Sequence, residues 1–395
     1  MLSSHIKTTL NFCLGLWKGT YMTKVQRFII IIGAIVAAAL LVLFGCPAIM
    51  PHAASISAPQ YNNGEVHHVA AYTTPLGDNE IWCAPMQLCW NEAMSVNGDK
   101  PLSGVSNIST TTLNEKAFDK SDLGEDHYYI YSNQIDSPNK TLSEISQALK
   151  SKFHQSSDVL SKDDLVPSKW LFYSMLYRKF TYEVPFTKLP DAGFGQNVMG
   201  RYKYFGVMPG DDLDSKKRDN LKVLYYDDKD HHAVFARTKE RDIVVFVKNP
   251  VGESAKDIYD NTMSKALDYS YTRELFSKDE FKAPMIGVDV TDDFTDLIGA
   301  YIDAKDMDIV MAKQKTRFIM DENGGEVKSE AVMTGAGALF TEIKDPPEPR
   351  ILHYDDTYIV FLVDGAKTNA HDVDGLAKAK PYFAARIANL DLFQS

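Results

Sequence analysis

Residues 315–392 have a layout that limits what this chain can fold into. A short run of strand character ends near Met320, and a long polar stretch rich in glycine and alanine follows it with neither helical nor strand periodicity. Two further apolar runs, Tyr358–Val363 and Tyr382–Ile387, predict a pair of strands at the C-terminus. The sequence therefore places one long unpatterned segment between strands, close to the end of the chain.

The beginning of the chain carries a continuous apolar run, Phe28–Phe44, with basic residues before it and no acidic residue until Glu65. About 17 residues is the length of a short membrane span or of a long signal-peptide core. The basic flank predicts that this end stays in the cytoplasm and that the rest is exported. We predict a cytoplasmic segment over 1–27 with Met22 as an alternative start, a transmembrane anchor or signal sequence over 28–45, a tether over 46–65 and one domain over 66–395.

Three fates are open for the exported chain. Leu43–Cys46 loosely resembles a bacterial lipobox, which makes Cys46 a candidate for lipidation. The alanine-rich segment after Pro51 offers a cleavage site instead, and an uncleaved anchor is the third alternative. All three predict a cell-envelope protein, membrane-anchored with its domain outside, or a secreted one.

Composition and charge exclude several classes of partner. The 45% apolar content is enough for a large core without staples. The formal net charge is −11, and the first fifty residues carry four basic and no acidic side chains, so the exported part is near −15. Nucleic acid and anionic lipid both need a basic surface, so neither is expected to bind. No cofactor is implied, and the domain is expected to be a monomer.

Helical periodicity is concentrated early in the domain and strand character late. Asn139–Phe153 is the clearest helix, since Thr141 and Glu144 form a capping-box pattern. Trp170–Phe186 predicts a long buried strand followed by a turn. Further predicted helices are Ile81–Met94, Ser254–Leu267 and a turn or two at Phe294–Ile302, and further predicted strands are Asp126–Ile135, Leu221–Tyr226, His232–Arg237, Asp242–Val247, Met285–Val290 and Arg317–Met320. This order suits an α+β fold around a large mixed sheet.

The order of these pieces resembles that of the serpins. Asp78–Met94 stands where a serpin has its buried helix after the "SP-S" motif, and Leu165–Phe186, ending Val-Pro-Phe, is similar to the long central strand that ends "KPF". The closing pair, YIVFLVD and PYFAARIAN, is the most specific match. The resemblance implies N-terminal helices, a large mixed central β-sheet and a C-terminal strand pair, preceded here by the N-terminal transmembrane or signal helix.

The chain also departs from the serpin pattern. Only about sixteen residues separate Phe153 from Trp170, where the family has a further strand and a helix that covers the central sheet. Ala84-Pro85-Met86 replaces the "SP-S" element. The resemblance therefore implies a distant member, or a relative that has lost parts.

By this resemblance, Gly324–Asp345 is a reactive-centre loop. A serpin inserts its cleaved loop into the central sheet as a new strand and so traps the protease. The family's hinge reads Glu-Glu-Gly-Thr-Glu followed by alanines, and the corresponding positions here are Glu322, Gly324, Gly325, Glu326, Val327, Lys328 and Ala331. Gly324 and Glu326 match the family pattern, whereas Val327, Lys328 and Glu330 replace small residues.

The chemistry of this hinge bears on whether the loop can insert. Burying Lys328 or Glu330 without a partner would cost several kcal/mol. By strand alternation, however, both can share the outward face of Glu326, which leaves Val327 and Ser329 inward. The pattern disfavours insertion without excluding it.

Two counts give different scissile bonds. Counting back from the prolines after the loop gives Ile343-Lys344, which we prefer because the strands that follow are the better match. Counting forward from the hinge gives Ala338-Leu339. The five-residue difference predicts a loop longer than is usual in the family.

Other patterns suggest different chemistry. Gln87 and Cys89-Trp90 resemble the nucleophile region of papain-like proteases, which need a base beside the thiol. His67-His68 and His231-His232 have no third ligand at metal spacing, so surface histidines and no metal site are expected. The aspartates of 289–296 are interpreted as a capped helix start rather than a calcium loop.

The leading hypothesis is a serpin-like exported protein that is not an enzyme and that interacts with an extracellular protease through Gly324–Asp345. Its atypical hinge favours weak or absent trapping. The second hypothesis is a non-inhibitory protein-binding module on the same scaffold at the cell surface. The third is a Cys89-dependent hydrolase, which would need an exposed thiol near a histidine.

Overall fold

The computed structural model describes residues 65–209, 215–327, 349–368 and 372–394. The predicted anchor 28–45, the lipidation candidate Cys46 and both candidate scissile bonds lie outside these residues. Within the part that is described, no helix is long and apolar enough to span a membrane.

The described chain is an α+β structure with many short strands and few helices. The helices are α1 (Pro85–Val96), α2 (Ile108–Asn114), α3 (Pro138–Phe153), α4 (Ser215–Asp219), α5 (Ala255–Asp268), α6 (Gly365–Thr368) and α7 (Val373–Leu376). The strands are β1 (His67–Val69), β2 (Glu80–Cys83), β3 (Tyr128–Gln134), β4 (Trp170–Leu176), β5 (Arg178–Thr181), β6 (Thr187–Phe194), β7 (Asn197–Val207), β8 (Leu221–Tyr226), β9 (His232–Arg237), β10 (Asp242–Lys248), β11 (Glu280–Pro284), β12 (Ile286–Asp293), β13 (Tyr301–Ile302), β14 (Met307–Asp308), β15 (Lys313–Met320), β16 (Gly324–Val327), β17 (Ile351–His353), β18 (Tyr358–Asp364) and β19 (Pro381–Ile387).

The largest sheet has seven strands in the order β1-β2-β19-β18-β10-β9-β8. Its first pair is parallel and the other pairs are antiparallel, so the sheet is mixed. Every residue of β10 and of β18 is buried, as expected for a strand covered on both faces, and this explains their continuous apolar sequences. The predicted C-terminal strand pair is β18 and β19, which are direct neighbours.

Two four-stranded sheets and a two-stranded one complete the part that bears on function. The orders are β17-β11-β7-β6, β12-β15-β16-β5 and β3-β4. The predicted single strand over Trp170–Phe186 is divided, because β4 pairs with β3 and β5 pairs with β16. The segment that was expected to form one continuous strand of the central sheet therefore pairs with two different strands along its length.

Two helix predictions need correction at their starts. The predicted helix over Ile81–Met94 is instead strand β2 followed by α1, because β2 pairs with β19 and Pro85, which has no N–H to donate, suits only a first helical turn. The helix α3 begins at Pro138 with Ser137 as its N-cap, so Thr141 lies within the helix and no capping box forms there.

The acidic segment 289–296 does not begin a helix. Asp289 and Asp293 lie on β12 and form ion pairs with lysines of β15, at 3.1 Å to Lys315 and 3.5 Å to Lys313. A single 3-10 turn, Thr295–Leu297, follows. The helix-start interpretation was wrong because these aspartates are neutralised across the strand pair, which local sequence does not reveal.

Candidate functional site

The predicted hinge segment forms a strand of its own. Gly324–Val327 (β16) lies between β15 and β5 and is antiparallel to both. A tight turn precedes it, in which the Asp321 N–H donates to the Gly324 carbonyl at 2.7 Å and the Asn323 N–H donates to the Asp321 side chain at 2.8 Å. Glu322 within the turn lies 3.2 Å from Lys188. The chain thus leaves β15, reverses and enters the sheet.

Glycine is required at the point of entry. Gly324 has φ +147°, and a Cβ there would lie 2.1 Å from the Phe180 carbonyl oxygen. At Gly325 a Cβ would lie 2.4 Å from the Ile319 carbonyl oxygen. Since both obstacles are backbone atoms of the neighbouring strands, no larger residue fits without displacing β16.

The last residue of β16 packs into the interior. Val327 is 2% exposed, belongs to the main hydrophobic core and lies opposite Phe318 and Arg178 in the two ladders. Glu326 points to the other face and is partly exposed. Lys328 and Ala331, the remaining predicted hinge residues, lie outside the described residues.

A cleft lined by Val327 lies between β4 and β15, which belong to different sheets. Its volume is about 120 Å³, and its lining residues include Ser174 and Leu176 of β4 and Thr316 of β15. Met86, Cys89 and Phe172 also line a second cavity of about 370 Å³. The helix α1 packs against β4 and β15 and forms the floor. Val327, the last described residue of β16, also lines this cleft.

The sequence did not reveal the buried ion pair that Arg350 forms on the C-terminal side of the loop. Arg350 is 0% exposed and donates to Asp279 from Nε at 3.0 Å and from Nη2 at 2.6 Å. Its Nη1 donates to the Thr272 carbonyl at 2.7 Å, and its Nη2 to that of Glu274. A single arginine beside a proline-rich run gives no periodic signal, and its partner is 71 residues away.

Cys89 does not have the properties of a nucleophile. Burial raises the pKa of its thiol to about 11, partly offset by a hydrogen bond with Ser174. A thiol that keeps its proton at neutral pH cannot attack a carbonyl. Cys83 and Cys89 are both free thiols. The raised pKa therefore does not favour a Cys89-dependent hydrolase.

The expectation of surface histidines was wrong for His68 and His232, which are buried. Asp292 accepts hydrogen bonds from both members of the first pair, at 3.0 Å from Nδ1 of His67 and 2.6 Å from Nδ1 of His68. The His68 backbone N–H donates to the same carboxylate at 2.8 Å. The shared carboxylate was missed because it is 224 residues away. Within the described ranges, no cluster of three or more such side chains could hold a metal ion.

This arrangement predicts an acid-dependent loss of stability. Burial alone would raise the pKa of Asp292, but hydrogen bonds from His68 and His67 lower it to about 2. A carboxyl whose pKa is depressed on folding stabilises the fold above about pH 4, its unfolded pKa, and loses that contribution as the pH falls toward 2. We expect the wild type to lose roughly 2 kcal/mol more than Asp292→Asn between pH 5 and pH 2.

Denaturant unfolding across this pH range measures the difference. The matched control is Asp289→Asn on the same strand, whose carboxylate is 45% exposed. A wild type and an Asp292→Asn variant with parallel pH profiles would contradict the prediction.

Comparisons with known proteins found similar chains among solved structures. No family model matches the sequence, and no curated protein matches it. Among solved structures, cleaved Serpin 42Da is 12% identical with a TM-score of 0.47, over 80% of this chain and 92% of that one. Serpin48 of the insect Tenebrio molitor is 12% identical with a TM-score of 0.39, over 76% and 90%. Human thyroxine-binding globulin is 10% identical with a TM-score of 0.43, over 78% and 91%.

Similarities of this size concern the fold and say nothing about activity. The chain's own element order is the stronger observation: an early buried helix, a long strand divided at its middle, a turn from β15 into the segment before the loop, and a closing strand pair. This order matches the order of pieces on which the sequence resemblance rests. The chain is a divergent protein of serpin-like fold.

Proposed function

We propose that this protein meets an extracellular protease through the loop that begins at Gly324 and ends near Asp345, and that it traps the protease weakly or not at all. The observation that carries the proposal is the strand Gly324–Val327, which already pairs with β15 and β5. A loop whose first residues are in the sheet, with a cleft beyond them, is suited to further insertion.

The same observation supports weak trapping. Covalent trapping is driven by the free energy released when the cut loop enters the sheet. Residues that are in the sheet before the cut no longer contribute to that release. The charged Lys328 and Glu330 that follow Val327 lower the gain further if either turns inward.

A non-inhibitory protein-binding module at the cell surface is the second candidate. It is favoured by the tight packing of Val327, which fixes one end of the loop, and by the buried ion pair of Arg350 near the other end. The described residues on either side of the segment that would contact a partner are thus both held in place. This alternative needs no insertion and no cleavage.

Incubation of the full-length protein with serine proteases tests both candidates. We expect a protease that cuts after branched apolar residues to cleave the Ile343–Lys344 bond and to leave little complex that survives boiling in detergent. Ile343→Glu should abolish that cut, whereas cutting after Leu339 by a protease that prefers large apolar residues should persist. A stoichiometric covalent complex would contradict weak trapping, and a loop that resists both proteases would favour the binding module.

A further inference from the structure

The cavity of about 370 Å³ beside α1 has a largely apolar wall. Its volume falls within the range of small-molecule sites in proteins, roughly 300–1,000 Å³. The helix α1, the strand β4 and the segment 307–313 all line it. Met86, Met307 and Met311 are among the lining residues, and their unbranched thioethers adapt to the shape of a bound molecule. This composition suits a ligand with an apolar body.

The aromatic part of the wall favours an aliphatic body over an aromatic one. Trp170 is stacked on Phe172, with their ring centroids 6.1 Å apart and an interplanar angle of 19°. The Nζ of Lys305 lies over the Trp170 ring, 4.9 Å from its centroid. A ligand ring that stacked on Trp170 would have to replace one of these contacts. A flexible alkyl chain packs against the methionines and leaves both contacts intact.

The adjoining cleft between β4 and β15 offers a polar end to the same space. The residues that line both cavities are Met86, Cys89, Val159, Phe172, Tyr173 and Lys313. Gln314 lines the cleft and is 4% exposed. Its Nε2 donates to Thr316 Oγ1 at 3.4 Å, whereas its Oε1 has no hydrogen-bond partner among the described residues. A buried carbonyl oxygen without a partner is unfavourable, and a donor from a ligand would remove that penalty.

The basic residues along the cleft do not favour an acidic ligand, because aspartates of β12 already face them. Lys313 lies 3.5 Å from Asp293, and Lys315 lies 3.1 Å from Asp289. Arg317 is the direct partner of Asp289 in the β12–β15 ladder. A carboxylate also has no proton to donate to Gln314 Oε1 at neutral pH. A neutral hydroxyl or amide N–H fits this end of the space better.

We propose that the two adjoining cavities form a binding site for a small, neutral, amphipathic molecule. An unbranched alkyl chain occupies the larger cavity, and a hydroxyl or amide N–H at its end donates to Gln314 Oε1. Burial of the chain supplies most of the affinity, and the hydrogen bond selects the head group. Binding requires neither a protease nor a cut in the loop, so the site is a function beyond the one proposed above.

Fluorescence quenching by ω-bromodecanol tests the site in the full-length protein. Bromine quenches a tryptophan that it touches, and Trp90 and Trp170 line the larger cavity whereas Trp82 does not. We expect saturable quenching that is reduced in Trp170→Phe. Bromodecane, which lacks the hydroxyl, should bind about fivefold more weakly because it leaves Gln314 Oε1 without a partner. Binding of ω-bromodecanoate as tight as that of the alcohol would overturn the assignment of a neutral head group.

A matched pair of substitutions locates the alkyl chain. Ala312 lines the larger cavity, so Ala312→Leu fills part of it and should weaken bromodecanol binding at least about tenfold. Ala304 is exposed in the preceding turn, Asp303–Lys305, and does not line the cavity. Ala304→Leu should therefore leave the affinity unchanged. The absence of saturable quenching, or equal affinities of these two variants, would overturn the proposal.

Gln314→Leu tests the polar end. This variant removes the acceptor, so bromodecanol and bromodecane should bind to it with equal affinity. A preference for the alcohol that persists in Gln314→Leu would overturn the role of Gln314. If this variant does not fold, the comparison of the two probes on the wild type decides whether the site has a polar end. None of these measurements involves a protease, so the binding site and the proposed function can fail separately.

Discussion

Cutting the loop between Gly335 and Lys344 is expected to raise the thermal unfolding midpoint by only about 2–4 °C, because β16 is in the sheet before the cut and adds nothing further to the gain. A cut loop is free to continue from Val327 into the cleft between β4 and β15. Each residue added to the strand forms ladder hydrogen bonds worth about 1 kcal/mol net and covers part of the exposed floor. Calorimetry of the uncut and cut protein measures the shift.

Gly324→Val is the variant that separates insertion from other effects of cutting. A side chain here meets the Phe180 carbonyl, so β16 must leave the sheet. We therefore expect that cutting no longer raises the thermal unfolding midpoint of this variant. Gly98→Ala is the control, since Gly98 also has a positive φ, +75°, but a Cβ there meets nothing within 4 Å. If cutting raised the unfolding midpoint of Gly324→Val as much as that of the wild type, the stabilisation would not depend on the hinge strand. A wild type whose midpoint is unchanged or lower on cutting would mean a hinge that does not insert.

Replacing Arg350 with methionine is expected to lower the free energy of unfolding by about 3–5 kcal/mol. The reason is the isolated charge that remains, because Asp279 is 1% exposed and would lose its cation. Arg350 also fixes the chain immediately after the loop, so the variant should make this end of the loop easier to cut. Urea unfolding and limited proteolysis measure the two effects.

Two further variants show whether the effect belongs to the buried charge. Arg350→Met with Asp279→Leu removes both charges and should recover much of the lost stability. Arg201→Met removes an exposed arginine, which contacts the Gly200 carbonyl at 3.2 Å, and should change stability by less than about 0.5 kcal/mol. An Arg350→Met variant with the stability of Arg201→Met would contradict the role assigned to the ion pair.

Some elements could be predicted because their signal is local. The strands of Leu221–Val247 and the C-terminal pair are continuous apolar runs bounded by polar turns, and the structure has them within a residue or two. The helix α3 was predicted from its 3.6-residue spacing and differs only in its first residue. Periodicity of this kind depends on neighbours a few residues apart, which sequence displays directly.

The errors arose where a distant strand competes with local preference. Residues Ile81–Cys83 have helical spacing but pair with β19, some three hundred residues later. The strand that begins at Trp170 looks continuous in sequence but is divided because β3 and β16 pair with different parts of it. Pairing adds hydrogen bonds and burial that outweigh weak propensities.

The sequence by itself determined the α+β character, the order of the elements and the glycines at the hinge. Only the tertiary structure decided that Gly324–Val327 lies within a sheet, that a cleft follows it, and that His68, Arg178 and Arg350 are buried with carboxylates 224, 64 and 71 residues away. The physical reason is that a charge enters the interior only with a partner, and which partner is near depends on how the whole chain folds.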